Sequence, residues 1–221
     1  MNTYPNTEQT MLLRGPAGDL EVVAAPGEAD KPLVVICHPH PLYGGTMDNK
    51  VVTTTYRTFR DRGHPVVRFN FRGVGNSEGE YAQGDGEMDD CRFVLDWARE
   101  QLNQPNFILA GFSFGSYVAA HVAEDWDADP HFKKLISIAP PVNHFSFAKL
   151  SFQTPWLILM GDDDEVVPSE QVYKWVKSIT PAPTLVRFAE TSHFFHGKLV
   201  DLREALLGNV AVDGDSGSRP E

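Results

Sequence analysis

Cysteine is scarce in this chain. Only Cys37 and Cys91 occur among 221 residues and no CxxC pair exists, which excludes a thiolate metal site and a disulfide framework. Each lies in an apolar or amphipathic segment, so both are expected to be buried free thiols. Basic residues are also in short supply: 19 Lys and Arg face 30 Asp and Glu, a formal net charge of −11. That balance argues against nucleic acid or an anionic membrane surface as partner, since both need basic patches. No apolar run approaches the length of a membrane span. Residues 1–8 carry neither a basic region nor an apolar stretch, so no secretory leader is expected and the expected compartment is the cytoplasm. Neither a repeat nor a linker divides the chain. A single domain is expected over residues 1–212, with 213–221, all glycine, serine, proline and charge, as a disordered tail.

What is present is ordinary in bulk and specific in pattern. Hydrophobic content of 42% and charged content of 22% suit one well-filled core. Strands are expected at residues 20–24, 33–37, 65–71, in the apolar run from Asn106 into Gly111, and at 135–139, 155–160 and 184–188. The continuous β-branched run at 33–37 is typical of a strand covered on both faces. Helices are expected at 49–62, with Thr46 or Asp48 as N-cap; at 87–102, where apolar residues recur every three or four positions; after Ser113; at 169–179, capped by Ser169; and at 199–207. Alternating strands and helices predict an α/β fold: a mostly parallel, twisted sheet with helices on both faces. In such sheets a ligand sits beyond the carboxyl ends of the strands.

One such end stands out. An apolar run enters Gly111-Phe112-Ser113-Phe114-Gly115, and small apolar residues follow at helical spacing. A serine at a tight strand-to-helix turn presents its hydroxyl clear of the sheet, and side chains at the flanking glycines would collide where strand and helix approach. The helix N-terminus behind it points free N–H groups at any oxygen that becomes negative. Ser113 is therefore read as a nucleophile. A second strand end carries Gly161-Asp162-Asp163-Asp164-Glu165-Val166-Val167-Pro168, whose carboxylates would suit a triad acid, a divalent cation or plain solvation. A third carries Ser192-His193-Phe194, with His196 as a local rival. Of the remaining histidines, His64, His121 and His131 read as surface or packing residues, His38 as a tie for its loop, and His144 as a loop residue that could reach the site. Arg72-Gly73-Val74-Gly75-Asn76-Ser77 lacks the third glycine and the lysine that phosphate loops require.

Together these three motifs resemble the α/β-hydrolase family. The loop His38-Pro39-His40-Pro41-Leu42-Tyr43-Gly44-Gly45-Thr46-Met47-Asp48-Asn49 is similar to that of a small bacterial subgroup without a lid. The resemblance implies an α/β-hydrolase fold without a cap domain and a triad of Ser113, Asp164 and His193, the acid falling on Asp164 by the pattern Gly-x-x-Asp-x-x-Val-Pro. It implies an oxyanion hole formed by the N–H of Phe114 and one from the loop after strand 33–37. Pro39 and Pro41 have no N–H, which leaves His40, Leu42, Tyr43 and Gly44. Tyr43 or Leu42 is the expected donor, because Gly44-Gly45 would let the backbone curl toward a bound carbonyl. The segment 140–154 is too short for a separate cap. A shallow site rimmed by Tyr43, Met47, Phe114, Phe145, Phe147 and Phe194 is expected. The function implied is a serine hydrolase cleaving small or short-chain carboxylic esters, with no metal or organic cofactor and a small-molecule ester as its partner. Thioesterase, acyltransferase, peptidase or amidase activity on the same triad, or a non-catalytic binding role, are the alternatives.

Overall fold

The computed structural model describes residues 4–209, so the tail expected at 213–221 lies outside the described residues. Eight strands form one sheet: β1 (Gln9–Gly15), β2 (Gly18–Ala25), β3 (Leu33–Cys37), β4 (Val66–Phe69), β5 (Phe107–Phe112), β6 (Phe132–Ile138), β7 (Trp156–Gly161) and β8 (Thr184–Phe188). Their order is β1-β2-β4-β3-β5-β6-β7-β8. β2 runs antiparallel to β1 and β4, and all the other neighbours are parallel. Five helices complete the layers: α1 (Lys50–Arg60), α2 (Asp85–Leu102), α3 (Phe114–Ala123), α4 (Ser169–Val176) and α5 (Leu199–Asn209). α1 packs on α5 and α2 on α3, and every residue of β3, β5 and β7 is buried. This is the doubly covered sheet that the β-branched runs call for.

The structure departs from the sequence expectations where burial is partial. β1 was not anticipated: as an edge strand it buries only Leu13, so it carries no continuous apolar signal. β6 begins at Phe132: Phe132 and Lys134 pair with Phe107 and Ile108, with Lys133 at the register shift between them. α1 is capped by Asn49, whose side chain accepts from the Val51 N–H at 2.9 Å. Asp48 is occupied instead by Arg68, and the Thr46 hydroxyl by the Asp48 N–H. Ser169 does not cap α4. Its hydroxyl donates to the Asp162 carbonyl at 2.9 Å, and the helix stops at Val176. Among the described residues, no helix is long and apolar enough to cross a membrane. The thiols of Cys37 and Cys91 are free, buried and 3.5 Å apart.

Candidate active site

β5, β7 and β8 all run in one direction, so their carboxyl ends open onto one rim. Close packing between the loops there depends on two glycines. A Cβ on Gly111 would stand 2.1 Å from the Gly115 carbonyl oxygen, and one on Gly115 would stand 2.3 Å from that of Cys37. Between them Ser113 takes φ 52° and ψ −123°, outside the regions that L-residues populate. Its N–H donates to the Ile138 carbonyl, and its own carbonyl accepts from the N–H and hydroxyl of Ser116. The turn is thus pinned from both sides with the Ser113 side chain facing out.

The carboxylate and imidazole arrive on loops that are stitched together. The Asp163 N–H donates to the Thr191 carbonyl, and a Cβ on Gly161 would stand 2.3 Å from that same oxygen. Asp164 accepts from the N–H groups of Val166 and Val167 at Oδ1 (2.9 and 2.7 Å), leaving Oδ2 for His193 Nδ1 at 2.7 Å. His193 Nε2 lies 3.0 Å from Ser113 Oγ. Serine, imidazole and carboxylate are all buried. The exposed Glu165 adds a tether that was not anticipated, its Oε2 accepting the His193 N–H at 3.0 Å. Asp162 is engaged elsewhere: Arg187 and Tyr173 both donate to its Oδ1 and hold its carboxyl below the usual range. Asp163 is exposed and His196 lies outside the cavity, in ring contact with Phe194.

The loop after β3 differs from its expected arrangement. Pro41–Tyr43 form a single 3-10 turn, closed by Gly44 in the left-handed region at φ 76°. That turn consumes the amides expected to be free. The Leu42 N–H donates to His40 Nδ1 at 3.2 Å, Tyr43 and Gly45 donate to the His40 carbonyl, and Gly44 donates to that of Pro41. Neither Tyr43 nor Leu42 therefore has a spare donor. The His40 N–H has no partner among the described residues, and Pro41 behind it keeps its backbone extended (φ −56°, ψ 123°). Gly45 allows the loop to fold on itself, since a Cβ there would stand 2.1 Å from the Pro39 carbonyl oxygen. On the other side, the Phe114 N–H is the first in α3 and so has no intrahelical partner.

Two neighbours hold this loop from beneath. The buried His38 donates from Nδ1 to the Pro39 carbonyl (2.6 Å) and accepts the Phe71 N–H at Nε2 (3.0 Å). Burial pushes its pKa down to about 3, so the ring is neutral. Asn70 accepts the Met47 N–H at 2.9 Å and donates to Glu21.

Above these residues opens a cavity of about 570 Å3, lined by Pro39, His40, Tyr43, Ser113, Phe114, Phe145 and their neighbours. Asn49, Pro141, His144, Val166, His193 and Phe194 also line it. Of the expected rim, Met47 and Phe147 are absent. Both are buried, Met47 under its loop and Phe147 against Trp175 and Tyr117. No Lys, Arg, Asp or Glu among the described residues lines the cavity. Among the described residues, no group of three or more His, Cys, Asp or Glu could hold a metal ion.

Comparisons agree with this architecture. A family model described as the alpha/beta hydrolase fold matches residues 32–151. A solved α/β serine hydrolase homologue from Coxiella burnetii is 47% identical, with TM-score 0.88 over 95% of this chain and 100% of that one. A structure from Xanthomonas campestris, described as an α/β serine hydrolase without a lid, is 44% identical, with TM-score 0.86 over 94% and 95% of the two chains. An uncharacterized protein of Rickettsia prowazekii is 34% identical over 209 residues, 89% of this chain and 86% of that one.

Proposed function

The chain belongs to the α/β-hydrolase family, and on that premise we propose that it is a serine hydrolase cleaving neutral, compact carboxylic esters through an acyl-enzyme. The observation that carries the reading is the unbroken relay Asp164–His193–Ser113, at 2.7 and 3.0 Å. In this reading His193 Nε2 takes the Ser113 proton as Oγ attacks the ester carbonyl. Asp164, which accepts from Nδ1–H, holds the ring in the required tautomer and stabilises the imidazolium. The tetrahedral oxygen is received by the Phe114 N–H and, in place of Tyr43 or Leu42, by the His40 N–H. Collapse expels the alcohol, which takes its proton from His193, and a water activated by the same imidazole then releases the acid. Substrate charge is limited by the lining: an ionised substrate group would lose water and find no counter-ion in this cavity.

A fluorophosphonate probe tests the core of the reading. It should label the wild-type protein and leave Ser113→Ala unlabelled, with ester turnover falling at least about a thousandfold. Undiminished turnover of matched short-chain esters by Ser113→Ala would exclude the mechanism. Comparison of matched ester, thioester and amide substrates then ranks the acyl bond cleaved.

A further inference from the structure

The His40 ring does no chemistry in this scheme, yet both of its nitrogens have partners. Nδ1 accepts the Leu42 N–H at 3.2 Å, so that nitrogen carries no proton; Nε2 carries it and faces the Tyr81 hydroxyl at 3.1 Å. The ring also packs against Tyr43, Tyr81 and Phe114 at centroid separations of 4.8–4.9 Å. Phe114 is the residue with the other spare N–H, so this one ring touches both sides of the proposed oxyanion site. Tyr81 belongs to the loop between β4 and α2, so its bond to His40 adds a third tie between two connections of the sheet already joined by His38–Phe71 and Met47–Asn70.

We propose that His40 and Tyr81 form a latch, with His40 a positioning residue whose pinned side chain aims the N–H of its own residue at the developing oxyanion. The inference rests on the acyl-enzyme reading above. Two ring nitrogens with separate partners leave the imidazole little freedom to rotate, and the side chain shares its Cα with the amide it aims. The latch needs a neutral ring, because a proton on Nδ1 would set N–H against N–H at Leu42. The titratable groups around the ring are Tyr43 on its own turn, Tyr81, His144 from the loop after β6, and His38 two residues before. Burial, with His144 second, keeps the His40 pKa below the usual histidine range.

Such a latch acts on the transition state and leaves ester binding alone. The experiment uses Tyr81→Phe, which keeps the ring and removes the hydroxyl, and His40→Asn, whose short side chain still accepts the Leu42 N–H but does not reach Tyr81. For each variant, kcat and KM are measured with a short aryl ester. Inhibition is measured with a trifluoromethyl ketone, whose Ser113 hemiketal places an oxyanion in the site. Tyr81→Phe should lower kcat about tenfold and weaken the ketone by the same factor, a fraction of the effect of deleting a donor. KM should hold within about twofold. The double variant should be no worse than His40→Asn alone, because both changes break one connection. Unchanged kcat and ketone affinity in Tyr81→Phe, in protein that still labels at Ser113, would sink the latch. A change in KM alone would make Tyr81 a substrate contact and equally overturn it. Wild-type protein that fails to label would defeat the acyl-enzyme reading itself.

Discussion

Ser113 is flanked by two pieces of machinery built from different materials. On one side stand side chains: the Asp164 carboxylate and the His193 imidazole, joined to each other and to the hydroxyl by direct hydrogen bonds. On the other side stands main chain: a 3-10 turn opened by Pro41, two glycines, and one amide without a partner among the described residues. The first flank needs particular residue types, because only an imidazole titrates near neutrality and only a carboxylate suits its Nδ1–H. The second needs an N–H, which every residue except proline possesses. Chemistry that depends on side-chain identity can be recognised in one dimension, and chemistry that depends on backbone direction cannot.

The comparison can be broken from either side, and the side-chain flank should fail hardest. Asp164→Asn keeps the shape but lets the amide favour the wrong imidazole tautomer. The kcat should fall roughly ten-thousandfold, as such a change does in a serine protease. Asp162→Asn, two positions earlier but tied to Arg187, should stay near wild type in the same assay. Equal losses in the two variants would show that the carboxylates act as a group.

The main-chain flank is reached through Gly45→Ala. The new methyl group collides with backbone at Pro39 and His40, so the turn must shift as a body. A loss of about a hundredfold in kcat is expected, comparable to removing one oxyanion donor. The thermal midpoint, measured in parallel, should move by only a few degrees, since the loop lies outside the buried strands. A large drop in melting temperature with proportionate loss of activity would make the loop a structural element instead.

The smallest effect concerns what lies beneath that flank. His38 is neutral in the folded state, with its pKa near 3, and titrates near 6.5 once unfolded. Below pH 6.5 the unfolded chain therefore binds a proton that the folded chain refuses. Stability from this residue is complete above that pH and is lost, at up to about 1.4 kcal/mol per pH unit, as the pH falls toward 3. Ring carbon NMR signals of His38 should stay at their neutral positions from pH 7 to pH 5 while the denaturation midpoint declines. A signal that titrates near 6.5 in the folded protein would contradict the assignment.

Reading order from sequence succeeded where burial was total and faltered where it was shared. The β3 strand was legible to its end residues because all five side chains are buried. β1 escaped notice because an edge strand may bury a single side chain and still pair fully through its backbone. Ser113, Asp164 and His193 were legible as residue types at strand ends, and the geometry brings them into contact. The amides of Leu42 and Tyr43, expected to be free, have partners for an identifiable reason. Gly44-Gly45 suggests a backbone free to curl toward a bound carbonyl, whereas the left-handed conformation of Gly44 closes a turn that occupies the preceding amides. Elimination by proline had already left four candidates, and only the turn type separates His40 from the other three. Met47 and Phe147 were expected at the rim because they are large and near it in sequence, yet the core claims both. The roles of Glu165 and Tyr81 were not legible, since one carboxylate of the acidic run serves a backbone amide and Tyr81 serves a ring that lies far away along the chain.

The backbone pose of Ser113 also sets a limit on which atoms the position accepts. At φ 52° and ψ −123° a side chain branched at Cβ has no comfortable rotamer. Cysteine would fit this elbow as readily as serine, whereas threonine would crowd its own carbonyl. Any redesign that wants a different attacking atom here must therefore change the element and keep the single unbranched carbon that carries it.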